Sequence, residues 1–240
     1  MSTGQKNLRQ LPPTISTSTQ EALQVVWKHS TRAKRLSLRV APHEHKLIVT
    51  LPPTCTDQQA LTFVQTHQGW IEERLKKLEK TPSFSVGNTV FITGKPYLIV
   101  HAPEQKGGAW LENDCLMVSG DPAFINRRVA DFLRNHATSI LRKEVEAVAL
   151  STGLRPTRID IRDTSSRWGS CSASGRIMFS WRIIMAPDLV RHYLIAHELS
   201  HLRHMNHGPL FWQQVARITP YKKQAERWLR QTGPLLLHAR

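Results

Sequence analysis

The chain has 240 residues, 40% of them hydrophobic and 21% charged, which is enough for one large core or two small ones and excludes a chain disordered throughout. With 33 Lys and Arg against 18 Asp and Glu, the formal charge is +15, which suits polyanionic partners without identifying one. Three cysteines, Cys55, Cys115 and Cys171, are odd in number and form no CxxC pair, so a disulfide framework and a cysteine-based zinc finger are both excluded.

No apolar run reaches the roughly 18 residues of a membrane helix. The first ten residues carry no apolar stretch behind their basic ones, so no secretory signal is read and the expected location is cytoplasmic, with no membrane partner. Residues 1 to about 21 are rich in Ser, Thr, Gln and Pro without periodicity and read as a flexible tail. Leu23, Val25 and Trp27, then Leu36, Leu38 and Val40, then Leu47, Val49 and Leu51 alternate with polar neighbours, the period of half-buried strands. A small antiparallel sheet is the simplest arrangement of the three. Pro52 and Pro53 end the last strand, and Thr56 with Gln59 has capping-box spacing for one helix to about Leu78, with Leu61, Val64, Ile71, Leu75 and Leu78 as its apolar stripe.

Thr89–Ile92 and Tyr97–His101 read as a hairpin around Gly94-Lys95-Pro96, and Trp110–Val118 as a further short strand pair. After the turn signal Ser119–Pro122, Val129, Phe132, Leu133, Ile140, Val145 and Val148 repeat at helical spacing until Gly153 and Pro156. A domain boundary is placed near residue 120. Residues 22–120 then form an antiparallel β-rich domain carrying one helix, and residues 121–240 a second domain. In that second part Arg158–Arg162 and Arg176–Ser180 alternate as strands, and Pro187 opens a helix through Leu189, Val190, Tyr193 and Leu194.

That helix carries His197-Glu198-Leu199-Ser200-His201. Positions i and i+4 share a helix face, so the two imidazoles can converge on a zinc ion at about 2.1 Å, with Glu198 placed to take a proton from the metal's water. The candidates for a third ligand are His204, His207, His192, Glu226 and His238. His204 is about 10 Å along the axis from His197 in a continuous helix, which is too far. His207 precedes Gly208-Pro209, where the helix can end and the chain turn back, and is the preferred ligand. Glu226 is the alternative, although Lys222 and Arg230, four residues to either side, explain it as a surface ion pair. A metzincin would need a Met in a turn after the third His, and no Met follows His207.

Arg167-Trp168-Gly169-Ser170-Cys171-Ser172, Gly175, Trp181-Arg182, Ala186-Pro187, Tyr193, the HExxH, Asn206-His207 and Phe211-Trp212 together resemble the YgjP-like metallopeptidase family, related to the WLM and SprT-like proteins. In the front half, Ser30–Val40, Val49–Pro52 and His67-x-x-Trp70-Ile71 share the likeness, which spans roughly residues 23 to 232. The resemblance implies an α+β fold with a zincin-like catalytic domain, Zn2+ as cofactor, and hydrolysis of a peptide or protein substrate. It carries over His197, His201 and His207 as ligands and Glu198 as general base. Family members more often have Asn at Ser180 and Glu at His204.

Beside the metal residues, Gly169 and Cys171 are read as a turn-and-strand packing motif, and Arg176–Ser180 as an edge along which an extended peptide could pair. Lys28, Arg32, Lys34, Arg35 and Arg39, with Arg74, Lys76, Lys77 and Lys80, form a basic surface that suits phosphate contact or simply faces solvent. Three functions are therefore weighed: a zinc metallopeptidase, a metal-dependent hydrolase of nucleotides or other phosphate compounds, and a nucleic-acid-binding protein with a structural zinc.

Overall fold

The computed structural model describes residues 11–16, 22–41, 46–79 and 82–239, in two compact units that divide between Lys80 and Thr81. In the first, β1 (Thr14–Ser16), β2 (Ala22–His29), β3 (Ser37–Ala41) and β4 (Lys46–Leu51) form one sheet in the order β1-β2-β4-β3. The period of two buries Leu23 and Val25 on β2 and Leu47, Val49 and Leu51 on β4 while their neighbours face outward. Against that row pack Ala60, Val64 and Ile71 from α1 (Asp57–Thr66) and α2 (Gln68–Glu79). The capping box forms as read: the Gln59 amide donates to Thr56 Oγ1 at 3.2 Å and the Thr56 amide to Gln59 Oε1 at 3.0 Å.

This unit departs from expectation in three places. The sheet is mixed, because β2 runs parallel to β4 and only β1–β2 and β3–β4 are antiparallel. β4, whose Leu47 and Val49 are wholly buried, takes one of the two central positions, as its apolar pattern favours. β1 lies inside the stretch expected to be a tail: Ile15 pairs with Leu23, and the Trp27 Nε1–H donates to the Pro12 carbonyl at 2.8 Å. Residues 1–10 and 17–21 lie outside the described set. The single expected helix is two, broken at His67, whose φ and ψ of −102° and 14° leave the helix while its ring Nδ1 sits 2.8 Å from the Phe63 carbonyl. The side chain of Leu78, the last position of the expected stripe, is outside the described set.

The second unit begins with β5 (Thr89–Ile92), β6 (Lys95–His101), β7 (Ala109–Glu112) and β8 (Cys115–Val118), in the order β5-β6-β8-β7. These strands bury Val90, Ile92, Ile99, Leu116 and Val118 in one core with Val129, Leu133, Leu141 and Val145 of α3 (Ile125–Thr152). The boundary expected near residue 120 therefore falls within a unit, and the turn at 119–122 joins two layers of one core. At the far end of α3, Gly153 adopts φ +71°, the left-handed cap its position suggested.

β9 (Arg158–Arg162), β10 (Gly169–Cys171) and β11 (Arg176–Ser180) make a second sheet in the order β10-β11-β9. β11 is thus the central strand and not the expected edge, and β10 is an edge strand. A buried 3-10 turn, Trp181–Met185, leads to α4 (Asp188–Ser200). The β5–β6 turn fixes the start of α4: Gly94, at φ +81°, lets it approach so closely that a Cβ there would lie 2.8 Å from the Pro187 Cα. Arg191, with only 3% of its side chain exposed, donates to Glu144 at 2.6 Å and to Asp188 at 2.8 Å, tying α4 to α3. α5 (Pro209–Ile218), α6 (Lys222–Gln231) and α7 (Gly233–Leu236) complete an α+β chain. No helix among the described residues is long and apolar enough to cross a membrane.

Candidate metal centre

His197 and Glu198 lie in the last turn of α4, and His201 is its C-cap at φ −64° and ψ −19°. The helix stops there, and the chain turns through residues 202–206 so that His207 comes back just before Pro209 opens α5. Each of the three histidines offers one ring nitrogen such that these atoms all lie within 4.8 Å of one another. The Nε2 atoms of His197 and His207 stand 3.1 Å apart. Beneath them Phe211, fully buried on α5, places its ring centroid 5.0, 4.5 and 4.7 Å from those of His197, His201 and His207. An apolar floor holds the three rings at fixed spacing and excludes water from their lower side.

A hydrogen bond orients His201, and burial favours the neutral form of both His197 and His201. His201 Nδ1 is 3.0 Å from the His204 carbonyl, which can only accept, so Nδ1 carries the proton and Nε2 is left with a free lone pair. His204 therefore serves through its backbone, and its ring is not in the cluster. Burial lowers His197 to about 4, with His201, His207 and Lys222 adding to the effect; burial also lowers His201, with His207 adding to it against the opposing His204 carbonyl. Both are neutral imidazoles near pH 7, the form that binds metal. The donor set suits zinc, which takes three imidazoles and leaves a fourth position open in hydrolytic sites.

Glu198 is 4% exposed, and burial pushes its carboxyl up to about 8. Its carboxylate packs against β10 at Gly169, where a Cβ would stand 2.5 Å from Glu198 Oε1. The glycine in the Arg167–Ser172 motif thus has a specific use, room for this carboxylate beside the open edge. Cys171, on the same strand, is not in the histidine cluster; burial and the nearby Glu198 raise its thiol, which keeps it protonated.

The other candidates are engaged elsewhere. The Tyr193 hydroxyl donates to Glu226 Oε1 at 3.0 Å, and neither Lys222 nor Arg230 pairs with that carboxylate, contrary to the surface ion pair read from spacing. His192 Nδ1 sits 3.1 Å from Thr219 Oγ1, and neither His192 nor His238 belongs to the cluster. Sequence reasoning missed Trp212 and Lys222 as neighbours of the centre. The Trp212 ring lies 5.9 Å from His197 and 5.7 Å from His207, and Lys222 Nζ stands 3.3 Å from the centroid of that ring. A signal was available for the lysine, since a cation in the first turn of a helix opposes the helix dipole.

A family model described as YgjP-like, metallopeptidase domain, matches residues 34–232. No curated protein matches the chain. Among solved structures, the metallopeptidase zymogen of Pyrococcus abyssi abylysin is similar at 20% identity, with 39% of this chain and 95% of that chain covered and a TM-score of 0.36. The metallopeptidase zymogen of Methanocaldococcus jannaschii jannalysin is similar at 19% identity, covering 38% of this chain and 95% of that one, with a TM-score of 0.35.

Proposed function

The chain belongs to the YgjP-like metallopeptidase family, and from that premise we propose that it is a zinc-dependent peptidase. His197, His201 and His207 hold the metal in this reading, and Glu198 acts as general base. The observation that carries it is the convergence of three imidazole nitrogens within 4.8 Å of one another, on a helix end where a buried glutamate is the next residue. When bound there, zinc supplies Lewis acidity, making water a nucleophile at neutral pH and polarising the scissile carbonyl. Glu198 takes the water's proton on a carboxylate oxygen and delivers it to the leaving amine, a role open to it because it follows the ligand His197 in the last turn of α4. An extended peptide pairs with the open edge of β10, which brings its carbonyl past Gly169 and beside Glu198.

A structural zinc would call for a fourth protein ligand, and the cluster among the described residues has three side chains. The phosphate-substrate reading is separated by assay. Wild type and Glu198→Gln are compared on casein, short peptides and nucleoside triphosphates, with metal content measured alongside. Peptide-bond cleavage that falls by about 10²–10⁴-fold in the variant, with metal retained, is the expected result. Untouched peptides with hydrolysed triphosphates, or full activity in Glu198→Gln, would overturn the assignment.

A further inference from the structure

Lys222 opens α6, where the positive end of the helix dipole disfavours a cation. Its natural partner one turn on, Glu226, is taken by the Tyr193 hydroxyl at 3.0 Å. Instead the ammonium is held over the face of Trp212, 3.3 Å from the ring centroid, and no carboxylate among the described residues pairs with it. An indole face attracts the charge but accepts no directed hydrogen bond from it, so the three N–H donors of the ammonium remain open to a ligand. Trp212 is also the ring beside His197 and His207, so one side chain clamps the lysine and borders the metal centre.

Long lysine side chains lose rotamer freedom when immobilised, and here the immobilised group is a half-buried cation placed against the dipole, without an anionic partner among the described residues, on the ring that borders the metal centre. A ligand anion would complete it. We propose that Lys222 is a specificity-determining residue that binds a carboxylate of the peptide substrate close to the scissile bond. The ammonium is a point charge without Arg's fork, so it matches one carboxylate oxygen and sets no bidentate geometry. On a peptide that group comes from an acidic side chain or from the free C-terminus, and the inference rests on the peptidase reading above.

The test uses three peptides of one sequence: neutral with an amidated C-terminus, the same with one Glu beside the scissile bond, and the neutral peptide with a free C-terminus. The readout is the ratio of kcat/KM for each carboxylate-bearing peptide over the capped neutral one, in wild type, Lys222→Met, Lys222→Arg and Lys222→Glu. Binding of the same peptides to the Glu198→Gln protein, with and without Lys222→Met, is followed by fluorescence anisotropy, and metal content checks that each variant retains its centre. Wild type is expected to favour one carboxylate-bearing peptide by about tenfold, the scale of a charge-assisted hydrogen bond. Which peptide is favoured identifies the source of the carboxylate. Lys222→Met brings the ratio and the binding preference to about one, Lys222→Arg keeps most of it, and Lys222→Glu drops the ratio below one. Wild type that cleaves all three peptides equally, or a Lys222→Met protein that keeps the wild-type ratio, overturns the inference and leaves the peptidase reading standing. Wild type that cleaves none of the three, while retaining metal, counts against the peptidase reading itself and removes the inference with it.

Discussion

At the scale of single residues, the centre depends on what is absent from Gly169 as much as on what Glu198 carries. A methyl group there would meet Oε1 at 2.5 Å and the carboxyl carbon at 2.9 Å, inside any real contact distance, so the carboxylate must move. Gly169→Ala is expected to lower kcat by roughly 10²-fold, since misplacement of a reacting group by about an ångström has effects of that order. Metal stoichiometry should be unchanged, because the three atoms nearest a Cβ at Gly169 all belong to Glu198 and none to a clustered histidine. An unchanged kcat in a metal-loaded Gly169→Ala protein would contradict the placement of Glu198. The cluster of ligand candidates follows from chemistry that spacing already contains: i and i+4 on α4 set two rings on one face, and Gly208-Pro209 lets the chain return with the third. The tautomer of His201 had no such signature, because its partner is a backbone carbonyl that any residue at 204 would supply.

Among the elements, the second sheet rests on a charged cluster. Asp160 on β9 is hydrogen-bonded by Arg176 from β11 and by Arg158 at 3.0 Å, with Arg162 at 3.9 Å. The Arg176 hydrogen bond, with help from Arg158, holds the Asp160 carboxyl below the usual carboxylate range in spite of the opposing effect of burial. A folded value below the unfolded one means stabilisation that is present above the unfolded pKa and lost as pH falls through the folded one. The difference in Tm between wild type and Asp160→Asn should therefore narrow from about pH 7 to about pH 3. A difference that stays constant over that range would contradict the account. The strands themselves were visible in alternation, and α3 and α4 in helical spacing, because burial imposes those periods directly. Strand partnership was not. Nothing local in Lys46–Leu51 distinguishes a central strand parallel to β2 from the end of a meander, and Arg176–Ser180 alternates alike at a centre or an edge. Ile15 is one apolar residue among Ser and Thr, too little for a strand until Leu23 is there to pair with it.

At the scale of the molecule, the described residues form two cores, one built on Leu23 to Ile71 and one on Phe84 to Ala239. The turn signal near residue 120 resembled a linker because Gly, Asp and Pro punctuate a chain in the same way within domains and between them. Two cores predict two unfolding transitions by calorimetry. Zinc binds only the folded form of the second unit in this account, so at about 100 times its dissociation constant it stabilises that unit by about 2.7 kcal/mol and moves one transition while the other stays. Movement of both together, or of neither, would contradict that division of labour.

The central claim is that His197, His201 and His207 form a metal centre. Its most direct test is elemental analysis of metal per chain, in protein purified without a histidine tag or added zinc, for wild type and for His201→Ala and His207→Ala. The account predicts about one zinc per wild-type chain and a large loss in either variant, as a three-ligand site requires. Wild type that contains no metal and takes up none on titration, or variants that hold as much as wild type, would contradict it.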